Sequence, residues 1–436
     1  MPTNKKHICV LGLGYIGLPT ASMFATNGHT VRGVDINPEV VKILKNGDIH
    51  IEEPGLSTVV KAALASKNLT IETTPSEADV FIIAVPTPYR KNEHEIPTAD
   101  MSYVESAMES ILPFIREGNL VILESTSPPG TTRDLIIPKI EKAGFSPGKE
   151  IGVAYCPERV IPGQALKELI ENDRVIGAIN IEWGEKTKAL YKSFVAGDIF
   201  LTDPTTSEMS KIIENTYRDV NIAFANEVSV LCEKMGINAW EVINIANRHP
   251  RVNIHKPGPG VGGHCISVDP WFLVEKFPEE TNIIHLARKI NDSRPQFVVN
   301  RIAELLNGKK NPKVAILGVA YKANVDDCRE SPALEVIHLI QSNHSHWDLS
   351  IYDSHVRMKD KKIDNLDLAL KGADIAVILT AHDEIRDLSP QVVSQLMKQR
   401  LILDTHNILN SEKWIPSGFQ ILTIGTPYQS KKSAPF

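Results

Sequence analysis

Residues 7–17 read His-Ile-Cys-Val-Leu-Gly-Leu-Gly-Tyr-Ile-Gly, an apolar run that leads directly into three closely spaced glycines, Gly12, Gly14 and Gly17. The run predicts a buried strand, and the segment after it predicts a helix. In such a turn the first glycine permits the tight bend, the second lets a pyrophosphate approach the backbone, and the third allows close packing of the helix. Asp35, which ends the next strand-like run, would accept hydrogen bonds from a ribose diol and repel a 2′-phosphate. The stretch predicts a dinucleotide site that favours NAD over NADP, with a turn that merely needs glycine as the alternative.

The same alternation of short apolar strands and helices continues along the chain, which is typical of βαβ units around a parallel sheet. The strand-like runs are His7–Leu11, Thr30–Asp35, Val80–Val85, Asn119–Ser125 and Ile151–Tyr155, and later Lys313–Val319, Leu349–Asp353, Asp374–Thr380 and Leu401–Asp404. Between the two groups, apolar residues at helical spacing from about Ser207 to Asn247 predict a long central helix. The predicted fold class is therefore α/β, with an N-terminal Rossmann domain over residues 1–200, a central helical region over 201–305 and a C-terminal Rossmann-like domain over 306–436.

Length and composition narrow the function classes. The 436 residues suffice for more than one core, and 42% hydrophobic with 23% charged residues describes an ordinary globular chain. A net charge of −6 gives no reason to expect a nucleic-acid partner, and no apolar run is long enough to predict a membrane span. Five scattered cysteines without a C-x-x-C pair indicate a reducing compartment and no zinc site. We expect a cytoplasmic protein with neither a metal nor a membrane partner.

A glycine-rich string surrounds one cysteine. Residues 257–270 read Pro-Gly-Pro-Gly-Val-Gly-Gly-His-Cys-Ile-Ser-Val-Asp-Pro, with Cys265 near the middle and Asp269 four residues later. Glycines there allow a ligand close to the backbone and can supply an amide nest. A helix starting at or near Cys265 would favour the thiolate and place Asp269 on the same face. We expect Cys265 to be a nucleophile; a buried structural cysteine is the alternative.

Polar residues recur on the predicted central helix and just after it. Lys211, Asn215 and Arg218, at i, i+4 and i+7, form one stripe, suited either to solvent or to an oxygen that gains negative charge. His249 and Arg251 precede the glycine string and form a cationic cluster suited to a diphosphate, with a surface turn as the alternative.

Hydroxyl groups follow two of the N-terminal strands. Thr87 lies in the Val-Pro-Thr-Pro segment 85–88, and Thr126 lies in the Glu-Ser-Thr-Ser segment 124–127. Open α/β sheets bind ligands at the carboxyl ends of their strands. Both threonines are therefore candidates to contact a cofactor or orient a water, although each segment alone is more often a plain turn or a helix cap.

In this order along the chain, the motifs resemble those of the UDP-glucose/UDP-N-acetylmannosamine dehydrogenase family of nucleotide-sugar 6-dehydrogenases. The resemblance covers nearly the whole chain and rests on the Gly12 turn, Tyr155–Arg159, Ser207–Lys211 with Asn215, the Cys265 string, Gly318–Lys322 and Asp326–Pro332. It implies an N-terminal domain that binds NAD, a central helical region that also forms a homodimer, and a C-terminal domain that binds UDP. The implied substrate is a UDP-sugar.

The resemblance also implies a reaction and the residues that perform it. A sugar C6 alcohol is oxidised to a carboxylate with two NAD per turnover, through a thiohemiacetal and a thioester on Cys265. The implied catalytic residues are Cys265, Lys211, Asn215, Asp269, Glu158 and Thr126, and either Lys211 or a water held by Asp269 takes the first proton. The implied NAD contacts are Gly12, Gly14, Tyr15, Ile16, Gly17, Asp35, Thr87, Thr126 and Arg329. The implied UDP-sugar contacts are Arg159, Val160, Lys211, Asn215, Arg218, His249, Arg251, Gly262, Tyr321 and Lys322, of which His249 and Arg251 reach into a partner subunit's site.

Sequence differences at two motifs distinguish the branches of this family. UDP-glucose dehydrogenases share Cys-x-Pro-Lys-Asp at the nucleophile and a second glutamate four residues after the one matching Glu158, whereas this chain has Cys-Ile-Ser-Val-Asp at 265–269 and Pro162. The strings around Cys265, Pro162 and Arg251 are similar to those of the branch that oxidises UDP-N-acetyl-D-mannosamine for surface polysaccharide or glycan precursors. We expect that activity, with UDP-N-acetyl-D-glucosamine as the near alternative and UDP-glucose as the more distant one.

Two other classes of protein share parts of this pattern. A binding protein that senses NAD or a nucleotide would keep the glycine turn and Asp35 but would need neither Cys265 nor the Lys211 stripe. A 2-hydroxyacid or 3-hydroxyacid dehydrogenase would use a lysine or histidine base without a cysteine, and it has no use for a second α/β domain. Nucleophilic chemistry at Cys265 accounts for the glycine string more directly than either.

Overall fold

The computed structural model describes residues 5–51, 53–90, 96–161, 163–356 and 365–427. The chain divides into two compact units, one formed by Met1–Glu214 with Trp271–Pro278 and the other by Asn215–Pro270 with Glu279–Phe436. Pro162, on which part of the branch assignment depends, lies outside the described residues. The three predicted domains, with boundaries after residues 200 and 305, treat the central helices as a separate region and stay a prediction.

An eight-stranded sheet organises the first unit, in the order β10-β9-β8-β7-β4-β1-β2-β3. All strands from β8 to β3 are parallel, as the alternation of strands and helices predicts. Strand order reverses between β1 and β4, so the turn after β1 lies where open α/β sheets bind ligands. The strands are β1 (His7–Leu11), β2 (Thr30–Val34), β3 (Leu69–Glu72), β4 (Val80–Ile83), β7 (Leu120–Leu123), β8 (Gly152–Tyr155), β9 (Arg174–Ala178) and β10 (Ile199–Thr202), with β5 (Tyr89–Arg90) and β6 (Thr98–Ala99) forming a separate antiparallel pair.

Helices cover both faces of this sheet. Because successive strand residues point to opposite faces, Ile8 and Val10 of β1 join one hydrophobic cluster, whereas Cys9 and Leu11 join the other. Because helices pack on both faces of the sheet, every residue of β4 and β7 is buried. The helices are α1 (Gly17–Thr26), α2 (Pro38–Lys45), α3 (Leu56–Ala65), α4 (Ser102–Ile111), α5 (Ile137–Lys142), α6 (Ala165–Glu171) and α7 (Ile181–Tyr191).

The last two strands of the sheet depart from the predicted pattern. β9 pairs with β8 in the antiparallel sense, and β10 is parallel to β9. Neither strand is evident from the sequence, because β9 follows the polar residues 172–173 and begins with the charged Arg174. β10 leaves Phe200 exposed at the edge of the sheet, so its apolar pattern is weak.

The central helix is shorter than predicted. α8 runs from Pro204 to Met235, and Gly236, with a φ of +72°, follows it. This left-handed conformation suits glycine and ends the helix, and α9 (Ala239–Ala246) is a separate element. The prediction of one helix reaching Asn247 is therefore wrong at its C-terminal end, because Gly236 stops the helix.

A five-stranded, fully parallel sheet organises the second unit, in the order β12-β11-β13-β14-β15. The strand order reverses between β11 and β13. The turn that begins at Gly318 therefore also lies where open α/β sheets bind ligands. The strands are β11 (Lys313–Leu317), β12 (Asp348–Tyr352), β13 (Ile375–Ile378), β14 (Leu401–Asp404) and β15 (Gln420–Thr423). The predicted α/β class, with two Rossmann-like domains and a long central helix, is confirmed.

The remaining helices complete the chain. They are α10 (Asp269–Lys276), α11 (Asn282–Leu306), α12 (Pro332–Asn343), α13 (Leu366–Leu370), α14 (Asp383–Arg386), α15 (Pro390–Leu396) and α16 (Ser411–Trp414). Among the residues that the structure describes, no helix has the length and apolar character needed to cross a bilayer.

Candidate active site

The glycine turn of the first unit has the shape that its sequence predicts. Gly12 has a φ of +87°, and a Cβ atom there would lie 2.5 Å from the carbonyl oxygen of Ala84. A Cβ atom on Gly17 would lie 1.8 Å from the carbonyl oxygen of Gly12, so neither position has room for a side chain. A Cβ atom on Gly14 would meet no atom within 4 Å. The backbone at Gly14 is therefore open to a ligand, while its two neighbours close the turn.

Asp35 lies beside this turn with its carboxylate fixed by the backbone. Oδ2 accepts a hydrogen bond from the N–H of Leu13 at 3.0 Å, and Oδ1 accepts one from the N–H of Asn37 at 2.9 Å. Each oxygen keeps further acceptor capacity, and the side chain is half-buried. Tyr15 and Ile16 are also half-buried and connect Gly14 to α1. The turn and Asp35 fit the diphosphate and ribose of NAD, which supplies a hydride acceptor when bound.

The two threonine segments meet at the carboxyl ends of β4 and β7. The Thr87 hydroxyl donates a hydrogen bond to the carbonyl oxygen of Thr126 at 2.6 Å, and the Ser125 hydroxyl donates one to the carbonyl oxygen of Val85 at 2.7 Å. Thr87 and Thr126 are both half-buried. The structure therefore brings together two predicted cofactor contacts, at the edge of the sheet where ligands bind.

The loop after β8 carries three predicted residues in different environments. Glu158 is buried, accepts the N–H of Arg159 at 2.7 Å and forms an ion pair with Arg174 at 2.5 Å. The guanidinium of Arg159 pairs with Glu214 of α8, and Val160 packs partly buried against the core. Arg159 is thus not a free cation, and a phosphate would have to compete with Glu214 for it.

The first turns of α8 are held by a glutamate that the predictions did not include. Glu208 is fully buried and accepts hydrogen bonds from the N–H of Gly130 at 2.5 Å, and from the N–H and the hydroxyl of Thr132 at 2.7 and 2.6 Å. Burial raises the pKa of Glu208 above its ordinary value. Lys211 follows one turn later and is only 9% exposed. The Ser207–Lys211 motif was the available signal for Glu208.

The second unit places Cys265 in a turn just before α10. The carbonyl oxygen of Cys265 accepts the N–H of Asp269 at 2.8 Å, and α10 begins at Asp269. The helix that follows Cys265 therefore begins near the cysteine rather than at it, and Cys265 lies in the preceding turn. Asp269 is buried, and its Oδ2 accepts a hydrogen bond from the side-chain amide of Asn215 at 2.6 Å. Two of the predicted catalytic residues are thus in direct contact.

Cys265 differs from the cysteines that serve as core residues. Burial raises the pKa of Cys9 to about 11 and that of Cys156 to about 12, which leaves both as neutral, inert thiols. Cys265 is partly exposed. Partial exposure is a requirement for a nucleophile that meets a substrate.

The glycines beside Cys265 make room for the protein's own residues. A Cβ atom on Gly262 would lie 2.6 Å from the carbonyl oxygen of Glu330, and one on Gly263 would lie 2.8 Å from the ring of Tyr321. The N–H of Gly263 donates a hydrogen bond to the carbonyl oxygen of Arg329 at 3.2 Å. The structure therefore gives these two glycines a packing role against residues 321–330, where the sequence suggested close approach of a ligand.

Residues of the 321–330 segment form a charged cluster near the Cys265 string. The guanidinium of Arg329 donates hydrogen bonds to both carboxylate oxygens of Asp327, and its Nη2 lies 3.2 Å from Nδ1 of His264. Burial raises the pKa of the half-buried Tyr321 to about 12, so its hydroxyl stays a donor, and Lys322 is exposed. Tyr321, Lys322 and Arg329 are close along the chain, and their nucleotide contacts stay predictions.

The remaining predicted cations lie at the surface of the second unit. Arg218 is exposed on α8, whereas Lys211 and Asn215 of the same stripe are buried, so the stripe is not uniform. His249 and Arg251 are exposed in the turn after α9, where Nδ1 of His249 accepts the N–H of Arg251 at 3.3 Å.

Asp353, at the end of β12, was not predicted as a functional residue. Its Oδ2 accepts the N–H groups of Val319 and Ala320 at 2.6 and 3.1 Å and lies 3.1 Å from Nε2 of His382. Its Oδ1 accepts the N–H groups of His355 and Val356, each at 2.9 Å. Burial opposes the charge of this carboxylate, but the hydrogen bonds outweigh burial and hold its pKa below the ordinary value.

Three potential metal ligands lie close to this aspartate without forming a metal site. One ligand atom each from His355, His382 and Glu384 lies within 4.8 Å of the others. Nδ1 of His382 accepts the N–H of Asn324 at 2.9 Å, so the proton of the neutral ring is on Nε2, which faces Asp353. His382 therefore has no lone pair left for a cation.

The fold and the glycine turn define a dinucleotide-binding α/β protein with a second Rossmann-like domain. Residues 6–195 match the NAD binding domain of the UDP-glucose/GDP-mannose dehydrogenase family, residues 205–293 match its central domain, and residues 315–411 match its UDP binding domain. The chain belongs to the UDP-glucose/GDP-mannose dehydrogenase family. The resemblance inferred from the motifs is thereby confirmed, as is NAD as the cofactor of the N-terminal domain.

Individual relatives extend this similarity over nearly the whole length. The chain is 51% identical over 424 residues to the UDP-N-acetyl-D-mannosamine dehydrogenase of Methanocaldococcus jannaschii, with 96% of each chain covered. The solved structure of UDP-D-ManNAc dehydrogenase from Pyrococcus horikoshii gives a TM-score of 0.90 at 40% identity, covering 96% of this chain and 99% of that one. The native structure of the UDP-N-acetyl-mannosamine dehydrogenase from Staphylococcus aureus gives a TM-score of 0.87 at 44% identity, covering 96% of this chain and 98% of that one.

Proposed function

We propose that this protein oxidises the C6 alcohol of UDP-N-acetyl-D-mannosamine to the carboxylate, using two NAD in succession. The observation that carries the proposal is the partly exposed Cys265, placed in a turn immediately before the buried Asp269, which holds Asn215. A hydride-transferring enzyme that stops at an aldehyde needs no nucleophile, whereas a double oxidation needs one to retain the aldehyde. The branch assignment is supported by the relatives at up to 51% identity.

Each named residue then has a chemical task. Lys211 or a water held by Asp269 takes the alcohol proton as the first hydride leaves for NAD. The Cys265 thiolate adds to the resulting aldehyde, and loss of a second hydride leaves a thioester. Asn215 and Lys211 stabilise the negative oxygen at each tetrahedral stage, each donor contributing about 3–4 kcal/mol. Glu158 takes a proton from the water that hydrolyses the thioester, and Thr126 orients a water or contacts the cofactor.

A panel of UDP-sugars tests the activity and its branch. We expect NADH to form with UDP-N-acetyl-D-mannosamine, with two NADH per sugar at completion, and much more slowly with UDP-N-acetyl-D-glucosamine or UDP-glucose. One NADH per sugar would contradict the double oxidation. No NADH with any sugar would leave a binding protein as the better description.

The nucleophile has a test of its own. Cys265→Ser is expected to lower the rate of uronate formation by at least ~1,000-fold, because removal of a nucleophile removes the covalent step. Cys232→Ala, which alters a buried cysteine on α8, is the matched control and is expected to keep most of the activity. A Cys265→Ser variant that forms uronate at the native rate would refute covalent capture.

We also propose a homodimer formed through α8. Large apolar side chains that are exposed recur along one face of the helix at spacings of four and seven, and they are Met209, Ile213, Tyr217, Phe224, Leu231 and Met235. A contiguous apolar stripe of this length is unusual on a free surface. Phe224→Glu is expected to convert a dimer into a monomer in sedimentation equilibrium; an unchanged mass would contradict the interface.

Two further expectations belong with this function. His249 and Arg251, in an exposed turn, are proposed to contact the substrate bound by a partner subunit, so the monomeric Phe224→Glu variant is expected to lose UDP-sugar affinity. A cytoplasmic location is proposed because a reactive thiol is preserved in a reducing compartment. Cell fractionation with an antibody to the protein tests the location directly.

A further inference from the structure

An arginine that no motif singled out is buried beside one of the proposed catalytic residues. Arg174, the first residue of β9, is 3% exposed, and its Nη2 lies 2.5 Å from Oε2 of Glu158. Its guanidinium carbon lies 4.9 Å from the ring centre of Tyr191 and 5.7 Å from that of Phe194. Nη1 lies 3.7 Å from the sulfur of Cys156. The guanidinium is therefore enclosed by aromatic rings and a thiol, with one ionised partner.

The environment explains why Glu158 is that partner. Burial opposes the charge of Arg174, but the acidic groups around it, of which Glu158 contributes most, together outweigh burial and raise the pKa of the guanidinium. The other acid in the cluster is Glu124, which follows β7 and accepts a hydrogen bond from the Tyr191 hydroxyl at 2.5 Å. Burial raises the pKa of Glu124 to about 7. Glu158 thus carries the negative charge that a buried guanidinium requires.

The ion pair also leaves Glu158 little freedom to rotate. Oε2 is bonded to Arg174, and Oε1 accepts the N–H of Arg159 at 2.7 Å. With one bond to each oxygen, the carboxylate has one defined orientation, and each oxygen keeps a second acceptor site for a water. A general base must lie within hydrogen-bond reach of the proton that it abstracts, so a fixed orientation of the carboxylate favours general-base catalysis.

We propose that Arg174 is a positioning residue for the hydrolytic step, which orients the Glu158 carboxylate to accept the proton of the attacking water. This inference rests on the proposed function. In that step the water oxygen bonds to the thioester carbon, the carbon–sulfur bond breaks, the thiolate returns to Cys265, and the water proton goes to Glu158. No oxidant or reductant is consumed, because both hydrides have already been transferred.

Arg174→Met removes the pair while keeping an unbranched side chain of similar length. The expected steady-state rate falls by about 100-fold, within the range that general-base catalysis contributes. The first two NADH per active site still form rapidly, and denaturing mass spectrometry detects the acyl group on the protein, because the thioester accumulates. The KM for the UDP-sugar falls together with kcat, because the acylated enzyme accumulates, whereas kcat/KM stays nearly unchanged. Arg301→Met, which breaks the ion pair with Glu233 in the second unit, is the control and shows neither a burst nor an adduct.

A second variant covers the case in which Arg174→Met does not fold. Arg174→Lys keeps the buried charge but makes only a single-point contact, and we expect a folded protein with hydrolysis slowed by about 10-fold and a smaller adduct. Native hydrolysis in Arg174→Lys, or a raised KM without an adduct in Arg174→Met, would overturn the inference and assign the pair to holding Arg159. A wild-type protein that forms no NADH with any UDP-sugar would instead refute the proposed function.

Discussion

The two Rossmann-like domains place an aspartate at the same point of their folds and use it differently. Asp35 follows β2 and Asp353 follows β12, each on the strand beside the first strand of its sheet. Asp35 is half-buried, accepts two backbone N–H groups and keeps room for a ribose. Asp353 is 5% exposed and accepts four backbone N–H groups besides facing His382. We therefore propose that this position serves a ligand in the first domain, whereas in the second it holds the backbone of the fold.

The glycine turns differ in the same sense. Gly12 and Gly318 have φ values of +87° and +88°, and a Cβ atom on either would lie within 2.5 Å of a residue that follows another strand, Ala84 or Thr380. The tight bend is thus common to both domains. The open backbone position is found only in the first domain's turn. In the second domain Ala320 occupies the place of Gly14, and its N–H is bonded to Asp353. In the dinucleotide fingerprint the second glycine lets the backbone approach the pyrophosphate, and Gly14 supplies that opening in the first domain.

The largest expected effect is a difference in stability between alanine variants of the two aspartates. Asp353→Ala is expected to lower the free energy of unfolding of the second unit by about 3–5 kcal/mol, because it strands several buried N–H groups and a histidine. Asp35→Ala should cost about 1 kcal/mol in the first unit. Hydrogen exchange followed by mass spectrometry reports each unit through its own peptides. Equal losses would break the comparison.

The next largest effect should distinguish the glycines that close the turns from Gly14, which leaves its turn open. Gly12→Ala and Gly318→Ala are each expected to cost about 1–3 kcal/mol, since both combine a left-handed φ with a contact below 3 Å. Gly14→Ala should leave stability nearly unchanged and weaken NAD binding by about 10-fold, because its Cβ points into the space open to a ligand. Thermal unfolding and NAD titration by calorimetry measure the two quantities. A Gly14→Ala variant with native NAD affinity would remove the turn from the cofactor site.

Cofactor choice gives a smaller effect that sharpens the role of Asp35. Asp35→Ala is expected to lower the ratio of kcat/KM for NAD to that for NADP by about 10–100-fold, because a ribose acceptor is lost and repulsion of a 2′-phosphate ends. Glu39→Ala, at an exposed position of α2, is the control. An unchanged ratio in Asp35→Ala would place the ribose elsewhere.

The smallest effect is a pH dependence confined to the second unit. The pKa of Asp353 is lower in the folded protein than in the unfolded chain, so its contribution to stability is complete above the ordinary carboxyl range and is lost as the pH falls through and below it. The difference in unfolding free energy between the native protein and Asp353→Asn should therefore shrink by about 1–2 kcal/mol between pH 6 and pH 3. Urea unfolding at both pH values tests this; a difference that grows on acidification would contradict the assigned charge state.

Local patterns sufficed for much of the fold. The limits of β1 and β14 agree with prediction to the residue, because both strands are apolar runs bounded by a glycine or a polar turn. Several other strands end earlier than predicted, since residues such as Asp35, Val85 and Ser125 turn away from the sheet to contact neighbouring loops. β9 begins at Arg174, whose charge signals a surface position and whose partner Glu158 is known only from the fold.

The sequence predicts one part of the candidate site better than the other. The Gly12 turn and Asp35 follow from sequence because the motif itself encodes the backbone shape. The contact between Asn215 and Asp269, and the burial of Glu208 against Thr132, join segments far apart in the chain, so no local pattern reports them.

The ring of Tyr321 fills the volume that a side chain on Gly263 would need, two residues before the reactive thiol. A methyl group added at Gly263 would therefore have to move either this ring or the peptide itself. We expect Gly263→Ala to change the rate at which Cys265 is labelled by a thiol reagent, and an unchanged rate would show that the surrounding residues absorb the methyl group.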